Sequence, residues 1–362
     1  MEFSELTIVC VTYERPKFVG RLIEYWQKNF SGATIFIIDG SDQHLEEKYL
    51  KKINEKKINY VHMRNVSIFQ RYVYIQKILK TKYFQLVADD EIFTKSGIEC
   101  CLDFLEKNED YSACCGKMIL FTPLLKKEVF AFSPYNLYSN DVSIKVERVK
   151  KWLAYSQPNT IYSIVRSENL LKILNEYSKF DEKTFTKPEV FHEDLVEIGL
   201  AYQGKTKIID ELMWMRSVEN QSIVLGDDKT QPEVTLFDTS QKEKKLFFDI
   251  FIKNYLKNLG SENDDLNLFD LKHTYYERLE SLKNHGDHKF YMNLFKLSFI
   301  KRYLFNIVPT YVKKRLRFHL NLNGPEIIEF LENNNENIIF DKKEIEDIKK
   351  FILNFYNDKF YN

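Results

Sequence analysis

The segment Phe84-Gln85-Leu86-Val87-Ala88-Asp89-Asp90-Glu91 runs from a mostly apolar stretch straight into three consecutive carboxylates. Like charges this close repel one another, and they are costly to take out of water unless something positive sits among them. A divalent cation such as Mg²⁺ or Mn²⁺ is one such partner, because it prefers oxygen ligands and often shares them with a substrate phosphate. A solvated acidic turn ahead of a helix, with Asp90 or Glu91 near the N-cap, is the alternative.

The elements that must position this run are legible as alternating patterns. Leu6 to Val11, Thr34 to Ile38, Tyr60-Val61 and Tyr83 to Val87 read as strands. Phe18 to Phe30 and Ser67 to Leu79 read as the helices between them, from apolar residues at helical spacing such as Leu22, Ile23 and Trp26. Strand, helix, strand, helix, strand is the pattern of a doubly wound, largely parallel α/β sheet. Ligands of such sheets bind beyond the carboxyl ends of the strands. Thr12 and Tyr13, then Asp39, then Asp89 and Asp90 stand at those ends, so one edge of the sheet is the expected site.

Further helices are expected at Ile98 to Lys107, Ser167 to Tyr177 and His192 to Tyr202. A mixed, partly extended segment runs from Ser112 to about Thr160, and Lys207 to Met215 reads as extended. From Gly226 to Pro232 the chain is rich in turn formers, and beyond Pro232 it reads as helical. The division expected is therefore an α/β domain over residues 1–225 and a helical region over 226–362, ending in two small helices either side of Asn333-Asn334-Asn335.

Several short motifs, in order, carry a resemblance. Val11-Thr12-Tyr13-Glu14-Arg15-Pro16 resembles the first-strand signature of family 2 glycosyltransferases, which have the A-type (GT-A) fold and use nucleotide sugars. Asp39-Gly40-Ser41-Asp42 looks like a contracted form of the second-strand end, where an aspartate meets the nucleoside. Arg71 lies 18 residues before Asp89, much as a family arginine precedes the metal-binding aspartates. Glu193-Asp194-Leu195, with Gly204-Lys205 after it, is similar to the acidic pair opening the acceptor-side helix. Met213-Trp214-Met215-Arg216, followed by Ser222, resembles the closing strand and its arginine. The resemblance spans residues 5 to 225. One departure stands out: the family's Asp-x-Asp is here Val87-Ala88-Asp89, with Asp90 and Glu91 beyond.

The resemblance implies an inverting transfer of a sugar from a nucleotide-sugar donor to a hydroxyl of a glycan or lipid-linked acceptor, of the kind used for bacterial surface polysaccharides. Asp194 is then the general base, with Glu193 in reserve and His192 beside it. Thr12, Tyr13, Arg15 and Asp39 would line the nucleoside pocket, while Arg71 and Arg216 steady phosphate charge. Asp89 and Asp90 would hold the divalent metal, Mn²⁺ or Mg²⁺. Each has a plainer reading: a strand end for Thr12 and Tyr13, a turn for Asp39, a helix cap for His192 to Asp194, and a surface ion pair for Arg71. A sugar nucleotidyltransferase and a catalytically silent membrane-associated scaffold remain as alternatives. No glycine occurs between Val11 and Gly20, where nucleotidyltransferases commonly carry a phosphate loop.

Bulk properties narrow the class further. Lys+Arg and Asp+Glu balance at 53 each over 362 residues, so the whole chain offers no nucleic-acid footprint. The five cysteines lack zinc-type spacing and read as reduced core fillers. Neither a basic, apolar leader nor an 18-residue uncharged apolar run is present, so a cytoplasmic protein is expected. From His288 to Pro325 there is no acid, but eight Lys or Arg interleave with aromatics. Such a segment suits docking on an anionic membrane surface, at roughly 1 kcal/mol per basic residue. RNA binding is the competing use of that chemistry.

Overall fold

The computed structural model of the protein describes residues 3–55, 58–124, 128–132, 137–155, 160–180, 189–217, 245–260, 268–284, 325–333 and 337–357. The expected boundary at 226 falls outside these residues, as does the basic aromatic segment 288–325 except for Pro325. Among the described residues no helix is long and apolar enough to cross a membrane.

A nine-stranded sheet in the order β3-β2-β1-β4-β8-β6-β9-β5, with β7 paired to β6, forms the middle layer. Its first half is the expected parallel unit: β1 (Leu6–Thr12), β2 (Thr34–Asp39), β3 (Asn59–His62) and β4 (Tyr83–Val87). Along β1, Leu6, Ile8 and Cys10 enter one core while Val9 enters the other, so the strand is buried on both faces.

The second half departs from the parallel expectation. Short β8 (Ile164–Arg166) runs antiparallel to both β4 and β6 (Tyr111–Leu124). Strand β9 (Lys205–Ser217) then pairs parallel with β6 through three register shifts. The remaining strands are β5 (Ile92–Phe93) against β9 and β7 (Glu128–Phe132) against β6.

Helices cover both faces. On one lie α1 (Pro16–Asn29), α2 (Glu47–Glu55) and α4 (Lys95–Lys107). Pro16 opens α1, where its missing N–H goes unneeded. Thr94 caps α4 by accepting from Gly97 N at 3.2 Å, and its hydroxyl also donates to the Leu212 carbonyl. On the other face lie α3 (Ile68–Ile78), α5 (Lys145–Tyr155), α6 (Ser167–Tyr177) and α7 (Glu189–Gln203).

The chain returns to this body after residue 217. A π-helical turn at Phe247–Ile252 leads into α8 (Lys253–Leu259), and with α9 (Leu268–Asn284) it joins the second face. Helices α10 (Ile327–Asn333) and α11 (Lys342–Asn357) join the first. There the Glu344 carboxylate takes the backbone N–H groups of Lys95 and Ser96 at the start of α4, and Phe355 packs on Phe18 of α1.

Candidate functional site

The parallel register brings three strand ends together. Thr12 lies opposite Asp39, and Cys10 opposite Val87, so β1, β2 and β4 release the chain at one edge. Asp89, two residues past β4, is 1% exposed. Its Oδ2 accepts from the Thr12 hydroxyl at 2.7 Å, and its Oδ1 from the Arg15 guanidinium at 2.9 Å. The same Arg15 nitrogen is 3.6 Å from Asp90 Oδ2. Beneath them Arg21, buried on α1, donates to the Asp90 carbonyl at 2.6 Å.

Asp39 is fastened just as tightly. Its Oδ1 accepts from Ser41 N at 2.9 Å and from the Ser41 hydroxyl, and its Oδ2 from the Tyr60 hydroxyl at 2.8 Å. Buried Arg71, from the first turn of α3, donates to the Thr12 carbonyl at 2.7 Å. Its Nε has no hydrogen-bond partner, and its flat guanidinium lies against Gly40. A Cβ added to Gly40 would stand 2.6 Å from the Arg71 Cζ. Gly40→Ala is therefore expected to displace Arg71 from the Thr12 carbonyl and to lower stability by about 1–3 kcal/mol. Urea denaturation checks this, and unchanged stability would show that the Arg71 contact does not depend on the bare backbone of Gly40.

A second turn completes this edge. Glu14 adopts a positive φ of 53°, a strained conformation for a side chain with a Cβ. Two contacts hold it there: Glu14 N donates to Ser41 Oγ at 2.7 Å, and Asp42 N donates to Glu14 Oε1 at 2.8 Å. The turns after β1 and β2 thus clasp each other and aim Arg15 at Asp89.

The third acid of the run serves a different purpose. Glu91 is buried, and its Oε2 accepts from the Trp214 indole at 2.8 Å while Arg216 Nε stands 3.7 Å from Oε1. It therefore ties the acidic turn to β9. Trp214 stacks on Phe93 and tilts against Tyr162 at 4.9 Å between ring centroids.

Tyr162 is the link to α7. Burial pushes its hydroxyl pKa up, and the charges of Glu193 and Glu91 add to that, so both acids lie within electrostatic reach of one side chain. Tyr72, beside Arg71, is raised by burial and then by Glu193. One turn along α7, Glu197 is wholly buried, accepting from Trp152 Nε1 at 3.1 Å, Ile161 N at 2.9 Å and the Thr160 hydroxyl. It pins the turn that carries Tyr162.

Burial pushes Asp89 up to about 6 and Glu91 and Glu197 up to about 8. Arg15 opposes this at Asp89, as do the hydrogen bonds at Glu197. Their folded values lie above the unfolded ones, so each contributes stability at acid pH that is lost as pH rises through its folded pKa. Urea denaturation at pH 5.5 and pH 8.5 is expected to give the lower unfolding free energy at pH 8.5. Each unit of displacement is worth roughly 1.4 kcal/mol, and a gain on going to pH 8.5 would contradict these burials.

Of the residues singled out by sequence, Thr12, Arg15, Asp39, Arg71, Asp89 and Asp90 form one cluster. Tyr13 is half-buried and lies within electrostatic reach of Arg71. Arg216 joins through Glu91, and Glu193 faces the cluster through Tyr162 and Tyr72. Asp194 is half-exposed, one step along α7 from Glu193; the side chain of His192 lies outside the described residues. Sequence reasoning missed the supporting shell of Arg21, Ser41, Tyr60, Tyr162 and Glu197. Arg21 had a signal: arginine is scarce in this chain, 11 against 42 lysines, and Arg21 comes six positions after Arg15.

The expected Mn²⁺ or Mg²⁺ at Asp89 and Asp90 meets a poor fit. Both oxygens of Asp89 are engaged by Thr12 and Arg15, Glu91 is engaged by Trp214, and the position two before Asp89 is buried Val87. Among the described residues no three His, Cys, Asp or Glu side chains converge as ligands for an ion. The chemistry these residues offer is anion binding by guanidinium groups at a strand-end edge, with Glu193 of α7 within electrostatic reach through Tyr162 and Tyr72.

No protein-family model matches the sequence, and no curated protein matches it. Among solved structures the chain is similar to S. aureus TarS 1-349, a glycosyltransferase, with a TM-score of 0.51 at 11% identity, covering 78% of this chain and 74% of that one. TarS 1-349 in complex with UDP matches at a TM-score of 0.49 and 12% identity, over 79% and 74% of the two chains. TarS 1-349 in complex with UDP-GlcNAc matches at 0.47 and 10%, over 78% and 75%. At 11% identity the likeness to TarS 1-349 is one of fold: the chain is a mixed α/β protein whose fold is similar to that of this structure.

Proposed function

We propose that this protein is an inverting glycosyltransferase, moving a sugar from a nucleotide-sugar donor to a hydroxyl of a glycan or lipid-linked acceptor in bacterial surface polysaccharide synthesis. The observation that carries the reading is the convergence of Thr12, Arg15, Asp39, Arg71 and Asp89 at one edge of the sheet, with Glu193 of α7 reaching it through Tyr162 and Tyr72. In this reading the nucleoside rests against Asp39 and Arg71, and the diphosphate lies along the turn that carries Arg15.

The acceptor oxygen attacks the anomeric carbon, and the bond from that carbon to the diphosphate oxygen breaks. The electron pair leaves with the nucleoside diphosphate, and the acceptor proton passes to Asp194, or to Glu193 if that acid is the closer. With one base and no protein nucleophile, displacement is direct and configuration inverts. The acceptor side and membrane docking rest on the sequence alone, through residues 288–325.

Incubation with a panel of nucleotide sugars tests the reading. Slow hydrolysis of one donor, releasing its nucleoside diphosphate, is expected. Pyrophosphate exchange instead would favour a nucleotidyltransferase, and no turnover of any donor would contradict the proposal.

A further inference from the structure

We propose that Arg15, rather than a divalent ion, is the cation that balances Asp89 and Asp90 while a nucleoside diphosphate is bound. This rests on the transferase reading above and deepens it.

Three observations carry it. First, the charge of the acidic turn is already met by protein: the Arg15 guanidinium is 2.9 Å from Asp89 Oδ1 and 3.6 Å from Asp90 Oδ2, and the remaining Asp89 oxygen is taken by Thr12. An ion entering there would have to displace a guanidinium and find further ligands beside Asp90, because Val87 is apolar and buried and Glu91 is committed to Trp214.

Second, the position of Arg15 is built. The preceding residue is held at positive φ by the Ser41 and Asp42 contacts, and the Arg15 carbonyl accepts from Phe18 N at 3.1 Å and Val19 N at 3.2 Å at the start of α1. An arginine that merely drifted onto a nearby acid would not need a strained, doubly fastened turn to deliver it. Its side chain keeps 16% exposure, so an anion can reach it from solvent.

Third, the turn is surrounded by further guanidinium groups in an arginine-poor chain. Arg21 lies beneath Asp90, Arg216 lies beside Glu91, and Arg71 lies on the Gly40 side with a buried, unpartnered Nε. A guanidinium can bind phosphate through two parallel hydrogen bonds, and burial strengthens that contact. Positive charge for a leaving diphosphate is thus present in the protein itself.

The test is calorimetric titration of the full chain with UDP, GDP, CDP and dTDP, once in EDTA and once in excess Mn²⁺. For the nucleotide that binds best, the Kd is expected to agree within about threefold between the two conditions. Arg15→Ala is expected to raise the Kd in EDTA by about tenfold or more, roughly 1.4 kcal/mol. Arg15→Lys, which keeps the charge and loses the fork, should fall between, and thermal melts of both variants report whether they fold. Wild-type binding that tightens about tenfold or more on adding Mn²⁺ would overturn the inference and leave the transferase reading standing. Wild-type affinity in folded Arg15→Ala, measured in EDTA, would overturn it too. If none of the four nucleotides binds in either condition, the transferase reading itself fails, and this inference with it.

Discussion

Replacing Asp194 by Asn is expected to slow glycosyl transfer by about 10²–10⁴-fold, the usual contribution of a positioned general base. Nucleotide affinity should stay within about twofold, because the proposed reading places the nucleoside against Asp39 and Arg71 rather than on α7. The substitution keeps the size and polarity of the side chain at a half-exposed helical position, so the fold should be unaffected. Glu193→Gln is the informative companion, since Glu193 is the acid whose charge reaches Tyr72 and Tyr162. Surviving activity in Asp194→Asn together with its loss in Glu193→Gln would move the base by one residue. Survival in both would remove α7 from the chemistry.

The second large effect is expected at Glu197, the buried acid one turn along α7 from Glu193. Glu197→Leu removes the acceptor for Trp152 Nε1, Thr160 Oγ1 and Ile161 N in a fully buried setting. Each orphaned donor costs about 1–3 kcal/mol, although the Thr160 hydroxyl can rotate to soften its share. A loss of about 3 kcal/mol or more is expected in urea denaturation. Because Glu197 pins the turn that presents Tyr162, turnover should fall as well at temperatures where the variant is still folded. Glu197→Gln retains one accepting oxygen and should lose less on both counts. Wild-type stability in Glu197→Leu would show that the buried acid does not organise this turn.

The parallel half of the fold was legible because its signals are local. Apolar runs of strand length and apolar residues at helical spacing, such as Leu22, Ile23 and Trp26, each act within a few residues, and four strands and two of the helices between them were read from them. Helix α2 was missed because only Tyr49 and Ile53 are buried along it, too faint a stripe to read. Helix α5 did carry a stripe, in Val149, Trp152 and Leu153, but it lay inside a segment read as mixed. The antiparallel turn of the sheet could not be read, since β8 has three residues and its partners are set by tertiary packing.

The site divides the same way. Thr12, Asp39 and Asp89 were legible because a parallel sheet delivers its strand ends to one edge. The partners that fix their chemistry were not, because hydrogen bonds such as Trp214 to Glu91 or Thr160 to Glu197 join residues far apart in sequence. Three adjacent carboxylates look alike on paper. In the folded chain one pairs with arginine, one has its carbonyl held from α1, and one braces β9, and only the long-range contacts tell them apart.

The central claim is that a nucleoside diphosphate is held where the ends of β1, β2 and β4 meet. A crystal structure of the protein with the best-binding nucleotide tests it most directly. The base or ribose should lie against Asp39 and Arg71, with the diphosphate beside Arg15 and across from α7. A nucleotide bound anywhere else, with that edge of the sheet empty, would contradict the account.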